Sequence, residues 1–205
     1  MKLSKGFTLI ELIVVLAVFL VIIGVALTIF ISIVSHQRRI LAQQELLNQA
    51  SYFIEYIGKG LRMAVKDDAG TCIAADSVYQ LEDYNEDKGI WTGIKFINAS
   101  DNNVCKEFRL EFIDSYNESL GYILKEISAT GYSTNITSTN LKINSLSFSL
   151  NGVAPSQDND HVPIAGDNSQ PRVTIFLDIQ AQGDTNQPST KVQITVSQRN
   201  INPNQ

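Results

Sequence analysis

The sequence is poor in the side chains that most catalytic and metal sites require. Its 205 residues include only two histidines, His36 and His161, and two cysteines, Cys72 and Cys105. Two separate histidines offer no convincing serine, histidine and aspartate constellation. Two cysteines without a nearby histidine make no zinc site, which needs four ligands, or three and a water. We therefore expect no enzyme activity, no cofactor and no metal.

Positive charge is scarce as well. Lysine and arginine number 16 against 21 aspartates and glutamates, for a formal net charge of -5. Nucleic-acid binders need a basic surface that neutralises phosphates, so we infer no direct nucleic-acid partner. The chain also lacks a phosphate-binding loop, so any work driven by ATP must come from another protein.

Acidic residues form several short patches. Asp67-Asp68, Glu82-Asp83 and Glu86-Asp87 offer oxygen ligands of the kind that calcium prefers, but none has the spacing of a known calcium loop. We expect these patches to be solvated surface. Residues 158–161, with two aspartates and His161, are better explained as a turn.

The two cysteines follow a long apolar run. An even number of cysteines in an exported segment fits one disulfide, Cys72–Cys105, formed in an oxidising compartment. Such a bond would stabilise the fold by roughly 2 to 4 kcal/mol. The alternative is a pair of reduced, buried cysteines.

The apolar run covers residues 7–34, and Glu11 is its only strongly polar side chain. A membrane-spanning helix takes about 20 apolar residues, and Leu12 to Val34 supplies 23. We therefore predict one span. Gly24-Val25-Ala26 loosely matches a signal-peptidase site, which leaves cleavage before Leu27 as a minor alternative.

After residue 34 the pattern becomes that of an amphipathic helix with one face to bury. No proline interrupts residues 7–66, so we predict a helix over about that range, weakened slightly by Gly58 and Gly60. The apolar stripe of its second half consists of Leu46, Ala50, Phe53, Ile57, Leu61 and Ala64.

From about residue 67 the composition shifts toward polar and turn-forming residues with short alternating apolar runs, a pattern typical of strands. The sequence therefore predicts an α+β fold, with an antiparallel sheet whose inner face covers the helical stripe. The predicted strands are residues 91–98, 104–114, 120–128, 141–150, 172–180 and 191–198.

The start of the chain resembles the processing site of type IV prepilins and type II secretion pseudopilins. That family has a short basic leader, a glycine, an aromatic residue, and a glutamate at the fifth position of the mature chain. Lys5, Gly6, Phe7 and Glu11 supply each element in this spacing, directly before the apolar helix. A pilin-like fold is then expected, with a long amino-terminal helix and a β-rich head.

The resemblance implies how the chain is processed and divided. A membrane aspartic peptidase would cut between Gly6 and Phe7, and the new amine of Phe7 would be methylated. Residues 1–6 would be the leader, 7–34 the transmembrane and filament-core helix, 35–66 its amphipathic continuation, and 67–205 the head. Glu11 would neutralise the Phe7 amine of a neighbouring subunit and so set the register of assembly.

The resemblance also implies partners and location. The partners would be other pilin subunits, the prepilin peptidase and methyltransferase, an inner-membrane assembly platform with its ATPase, and lipid before assembly. Lys2 and Lys5 favour a cytoplasmic amino terminus, although Arg38 and Arg39 weaken the charge bias. The head would lie outside the cytoplasm, first at the inner membrane and then in a periplasmic or cell-surface filament.

The order of elements is also similar, more loosely, to minor subunits of the J and W types and to their Gram-positive competence equivalents. A minor subunit is favoured over a major pilin because the head is long and rich in predicted strands. The matching segments are Gly60–Ala64, Asn144–Phe148, Pro171–Ile175 and Val196–Asn200.

Two other functions remain open from the residues alone. The first is a single-span, membrane-anchored binding module that never polymerises. The second is a membrane-anchored hydrolase, which would need carboxylates converging in a closed cleft. The response of filament incorporation to the loss of Glu11 separates the first from a pilin.

Overall fold

The computed structural model describes residues 6, 8–113, 121–129, 131–138, 140–152, 170–182 and 187–199. Two compact units make up the chain, Met1–Ala42 and Gln43–Gln205. The first unit is helical from Leu9 onward, and the second contains the sheet. This confirms the α+β class, with one long apolar amino-terminal helix followed by an antiparallel head.

Helix α1 spans Leu9–Arg62. Its uninterrupted course follows from the absence of proline, and Lys59 and Arg62 in its last turn interact favourably with the helix dipole. The predicted end near residue 66 is wrong by one turn, because the chain leaves the helix after Arg62 and Ala64–Val65 joins the sheet as strand β1.

The described residues of the second unit form nine strands in one antiparallel sheet, with a short 3-10 helix at Ala99–Asp101. The main path through the sheet is β1-β3-β4-β5-β7-β8-β9, with β2 paired to β3 and β6 paired to β5. After β1, the strands are β2 Tyr79–Asn85, β3 Ile90–Asn98, β4 Val104–Phe112, β5 Tyr122–Ser128, β6 Ser133–Asn135, β7 Leu141–Asn151, β8 Arg172–Ala181 and β9 Ser189–Ser197.

The second unit buries the predicted helical stripe in its core. Leu46, Ala50, Phe53, Ile57 and Leu61 are all buried, together with apolar side chains from the sheet. Gly60 has a packing role that outweighs its low helix propensity. A Cβ there would lie 3.3 Å from the Phe108 ring, so glycine allows the helix to approach the sheet closely.

All six predicted strands form, with small shifts at their ends. Three further strands were not predicted, namely β1, β2 and β6. Strands β1 and β6 have only two and three residues, too few to show an alternating pattern. Strand β2 alternates only over Tyr79–Leu81 before it becomes polar, and its pairing with β3 determines its conformation.

A disulfide joins Cys72 to Cys105, whose Cα atoms lie 5.7 Å apart. Cys105 belongs to β4, where it pairs with Ile97 of β3, and Cys72 lies in the connection between β1 and β2. The bond therefore attaches this connection to the centre of the sheet and closes a loop with a sequence separation of 33.

Replacing both cysteines, Cys72→Ser with Cys105→Ser, is expected to destabilise the head by about 2 to 5 kcal/mol, because the unfolded chain regains the freedom of that loop. Denaturant unfolding of the full-length protein in detergent measures this as a lower midpoint. Reduced wild type should match the double variant. An unchanged midpoint in both would show that the bond contributes nothing to stability.

Candidate processing and assembly site

The helix begins with a reciprocal cap formed by Thr8 and Glu11. The backbone N–H and hydroxyl of Thr8 both donate to Oε2 of Glu11, and the N–H of Glu11 donates to the Thr8 hydroxyl, each at 3.4 Å. This is the capping-box arrangement, in which a threonine before the first helical residue pairs with a glutamate three residues later. The contacts are long, so the cap contributes modestly.

Gly6 precedes this cap. It is exposed, and a Cβ built on it meets no atom within 4 Å. The folded chain therefore places no demand for glycine at position 6. Phe7, proposed as the mature amino terminus, and the leader residues 1–5 lie outside the described residues.

Glu11 is the only charged side chain of the sequence between Lys5 and Arg38. It is exposed, and apolar side chains that are themselves more than half exposed surround it along the helix, including Leu12 and Val14. The carboxylate also lies in the first helical turn, where the helix dipole favours a negative charge. Glu11 therefore has a local structural role besides the role in assembly that the sequence suggests.

The apolar surface beyond Glu11 is extensive. Helix α1 is long and apolar enough to cross a membrane, and its most apolar stretch is not buried by the described part of the chain. Soluble monomers rarely expose a contiguous apolar patch of more than a few hundred square ångströms. The helix therefore fits a single-pass membrane anchor near the amino terminus.

Comparison with known families decides among interpretations of this stretch. Residues 1–27 match the prokaryotic N-terminal methylation motif. The chain carries a type IV prepilin-like amino terminus. The matched range spans Gly6, Phe7 and Glu11. No curated protein and no solved structure matches the chain significantly.

The methylation motif contains a local signal that the sequence interpretation missed. Thr8 followed three residues later by Glu11, directly before an apolar run, is the sequence signature of a capping box. The resemblance alone gives Glu11 a role in assembly, whereas the structure shows that the same carboxylate caps its own helix. Substituting Glu11 therefore affects both the helix cap and the proposed role in assembly, and an experiment must compare variants that separate the two.

The expectation that the acidic patches are all solvated surface is wrong for Asp67. Asp67 is 3 % exposed, and its two carboxylate oxygens accept hydrogen bonds from the backbone N–H groups of Cys72, Ile73 and Gly70 at 2.7, 3.1 and 2.8 Å. These bonds, led by that from Cys72, lower the pKa of Asp67 to about 2. Its neighbour Asp68 is exposed, as expected.

The stability of the head should accordingly depend on Asp67 at low pH. Because its folded pKa lies below the unfolded value of about 3.9, the carboxylate stabilises the fold above that pH and loses this contribution as the pH falls toward 2. We expect Asp67→Asn to lower the unfolding midpoint at pH 7 and to flatten its fall between pH 5 and pH 2. Thermal unfolding across this range is the measurement, with Asp68→Asn as the exposed control. Identical profiles for Asp67→Asn and wild type would contradict the assignment.

The remaining candidates for metal binding and catalysis do not assemble into such a site within the described residues. No group of three histidine, cysteine, aspartate or glutamate side chains there lies close enough to hold a metal ion. His36 is exposed on α1. His161 and the rest of residues 158–161 lie outside the described ranges.

Two carboxylates of the head, those of Asp101 and Glu126, lie close to the same lysine, Lys106. Nζ of Lys106 lies 2.8 Å from Asp101 and 2.7 Å from Glu126, and the hydroxyl of Tyr56 donates to Glu126. Burial, followed by the bond to Glu126, raises the pKa of Tyr56 to about 12. Burial lowers the pKa of Lys106, but its hydrogen bonds to Asp101 and Glu126 outweigh this and raise it overall. The cluster thus holds a charged lysine and a neutral phenol, an arrangement suited to packing α1 against β4 and β5.

Proposed function

We propose that the chain is a structural subunit of a type IV pilus or type II secretion-like filament, as a minor pilin or pseudopilin. The observation that carries the proposal is the methylation motif over residues 1–27, followed at once by the exposed apolar helix. A prepilin peptidase cuts between Gly6 and Phe7, and the freed amine of Phe7 is methylated.

Glu11 then acts in assembly. A carboxylate in hydrocarbon costs on the order of 2.5 to 3.5 kcal/mol on insertion scales, so such a group tends to be paired. The partner in this proposal is the ammonium of Phe7 on a neighbouring subunit, which lies at a similar depth when helices are staggered. The Thr8–Glu11 cap supports it by holding the carboxylate at the amino-terminal end of the helix, the end from which that amine approaches.

The apolar helix serves two stages. Before assembly it spans the inner membrane with the amino terminus in the cytoplasm and the head outside. An assembly platform and its ATPase then extract the subunit, and helices of neighbouring pilins replace lipid around it. Residues 7–34 supply the filament core, and residues 35–66 join it to the head.

The proposal further assigns the chain to the minor pilins or pseudopilins. The described part of the head forms nine strands in one sheet and buries the carboxyl-terminal half of α1 along one face. Such a head supports a subunit that packs along, primes or caps a filament.

Filaments sheared from cells and separated from membranes test the proposal. We expect peptides of this chain in the filament fraction, identified by mass spectrometry. A matched fraction from cells lacking the prepilin peptidase is the control and should contain none. Detection of the chain in membranes but never in filaments would overturn the proposal and favour a non-polymerising binding module.

A further inference from the structure

A basic groove lies beside the last turns of α1, with the end of β9 on its other side. Its volume is about 890 Å³. Lys59, Arg62 and Arg199 line it and are all exposed, and Glu55 is the one acid among its lining residues. We call these four residues, with Ile54, Gly58 and Ile194, the basic groove.

The three cations have no counter-ion in the part of the chain that the structure describes. Lys59 and Arg62 interact favourably with the helix dipole, which gives them a local reason to be there. Arg199 is not in the helix, yet its backbone N–H donates to the carbonyl of Arg62 at 2.9 Å and fixes a third cation beside the first two. Three cations along one groove repel one another, and an acidic partner would relieve that repulsion.

An acidic turn of matching chemistry joins β2 to β3. Glu86 and Asp87 are exposed there and form no ion pair within the described residues. The side-chain oxygen of Asn85 accepts a hydrogen bond from the backbone N–H of Lys88 at 3.0 Å. The backbone carbonyl of Asn85 accepts one from the N–H of Gly89 at 2.8 Å. These bonds hold the turn in shape before it meets a partner, which lowers the entropic cost of binding.

The acidic turn and the basic groove lie at opposite ends of strand β3. The turn comes directly before Ile90, whereas Asn98 pairs with Ala64, two residues after Arg62. Eight residue steps at about 3.3 Å separate the two ends by roughly 26 Å. An ion pair needs about 4 Å, so the turn cannot fill the groove of its own chain.

We propose that the acidic turn of one copy docks in the basic groove of a second copy, with Glu86 and Asp87 facing Lys59, Arg62 and Arg199. The contact joins two different surfaces, so it repeats from copy to copy as a ring or an open helix and does not close a symmetric pair. The staggered helices of the proposed filament select the open helix. The proposal rests on the proposed function, because filament assembly brings heads of neighbouring copies side by side.

The contact is weak because its charges are exposed. Exposed ion pairs contribute little individually and are screened by salt. It therefore acts between heads that a membrane or a filament already holds close together, where the effective concentration is high. We expect it to set the rotation of one head against the next and to weaken as ionic strength rises.

Carbodiimide cross-linking tests the contact directly, since it joins a lysine amine to a carboxylate that touches it. The full-length protein is reconstituted in lipid vesicles as an equal mixture of ¹⁴N-labelled and ¹⁵N-labelled copies. We expect mixed-isotope peptides linking Lys59 to Glu86 or Asp87, diminishing with added sodium chloride. Lys66 lies 2.6 Å from Asp76 in the same chain, and this pair is the internal control that should give single-isotope peptides.

Reversing the charges on the two surfaces is the second test of the contact. Arg62→Glu with Arg199→Glu should reduce the Lys59 cross-link about tenfold, which corresponds to about 1.4 kcal/mol. A second variant carries Glu86→Lys and Asp87→Lys. Mixed with the first variant, it should restore cross-linking with the charges exchanged. The new links join position 86 or 87 of the second variant to position 62 or 199 of the first. Lys191→Glu changes an exposed cation of β9 outside the groove and should have no effect.

The outcomes distinguish this inference from the proposed function. Absence of the Lys59 link, a Lys59 link found only within single chains, or failure of the charge-exchanged pair to form its own cross-link would overturn the contact. The proposed function is judged independently by the presence of the chain in sheared filaments. A chain present in filaments without the Lys59 link would leave the function standing and reject this contact alone.

Discussion

Glu11→Ala and Glu11→Gln are both expected to remove the chain from filaments while leaving it in the membrane. In the proposed assembly, loss of the acid would leave the Phe7 ammonium of the neighbouring subunit unpaired among apolar helices. An unpaired charge in hydrocarbon costs on the order of 2.5 to 3.5 kcal/mol, and about 1.4 kcal/mol corresponds to tenfold, so incorporation should fall roughly 100-fold. The ratio of filament-bound to membrane-bound chain measures the effect.

The two variants separate charge from capping. Glutamine at position 11 still accepts hydrogen bonds from Thr8, so it keeps the capping box and loses only the charge. Alanine loses both. Equal defects would assign the effect to the carboxylate charge, whereas normal incorporation of Glu11→Gln would reduce Glu11 to a helix cap. Normal incorporation of both would show that Glu11 has no part in assembly.

Gly6→Val is expected to block removal of residues 1–6, so that the chain accumulates as an uncut precursor. The fold gives no reason for this effect, because a side chain at position 6 meets nothing within 4 Å. The requirement comes from the peptidase, whose cleft the backbone can approach closely only where no Cβ intervenes. The mass of the full-length protein from membranes reports the uncut leader.

Gly24→Val is the matched control for that substitution. Gly24 also has open space around its Cα, and it lies in the apolar part of α1 far from the cut. We expect normal processing in this variant. Equal processing of both valine variants would refute the proposed cleavage after Gly6, and a defect in both would point to a general effect on membrane insertion.

Much of the head followed from the sequence because long alternating runs specify strands with little dependence on context. The helical stripe at Leu46, Ala50, Phe53, Ile57 and Leu61 was predicted by its spacing and is buried as expected. The end of α1 was missed because Ala64 continues the stripe and is equally buried, but as a residue of β1. Periodicity alone does not separate a last helical turn from a short strand that faces the same core.

The buried carboxylate of Asp67 is a second feature that the sequence pattern did not predict. In the sequence it stands beside Asp68 and resembles a solvated acidic pair, yet the connection that follows turns its N–H groups toward it. Pairing between Asp67 and Ser77 closes that connection, and the disulfide attaches it to β4. Neither contact can be read from the local pattern around Asp67. The processing motif, by contrast, is local, which is why residues 5–11 alone predicted it.

The most direct test of the account is the mass of the mature amino terminus, measured on the protein extracted from membranes of cells with an active prepilin peptidase. The account predicts a chain that begins at Phe7 and carries one added methyl group on its amine. A chain that begins at Met1, or at Leu27 after signal-peptidase cleavage, would contradict it.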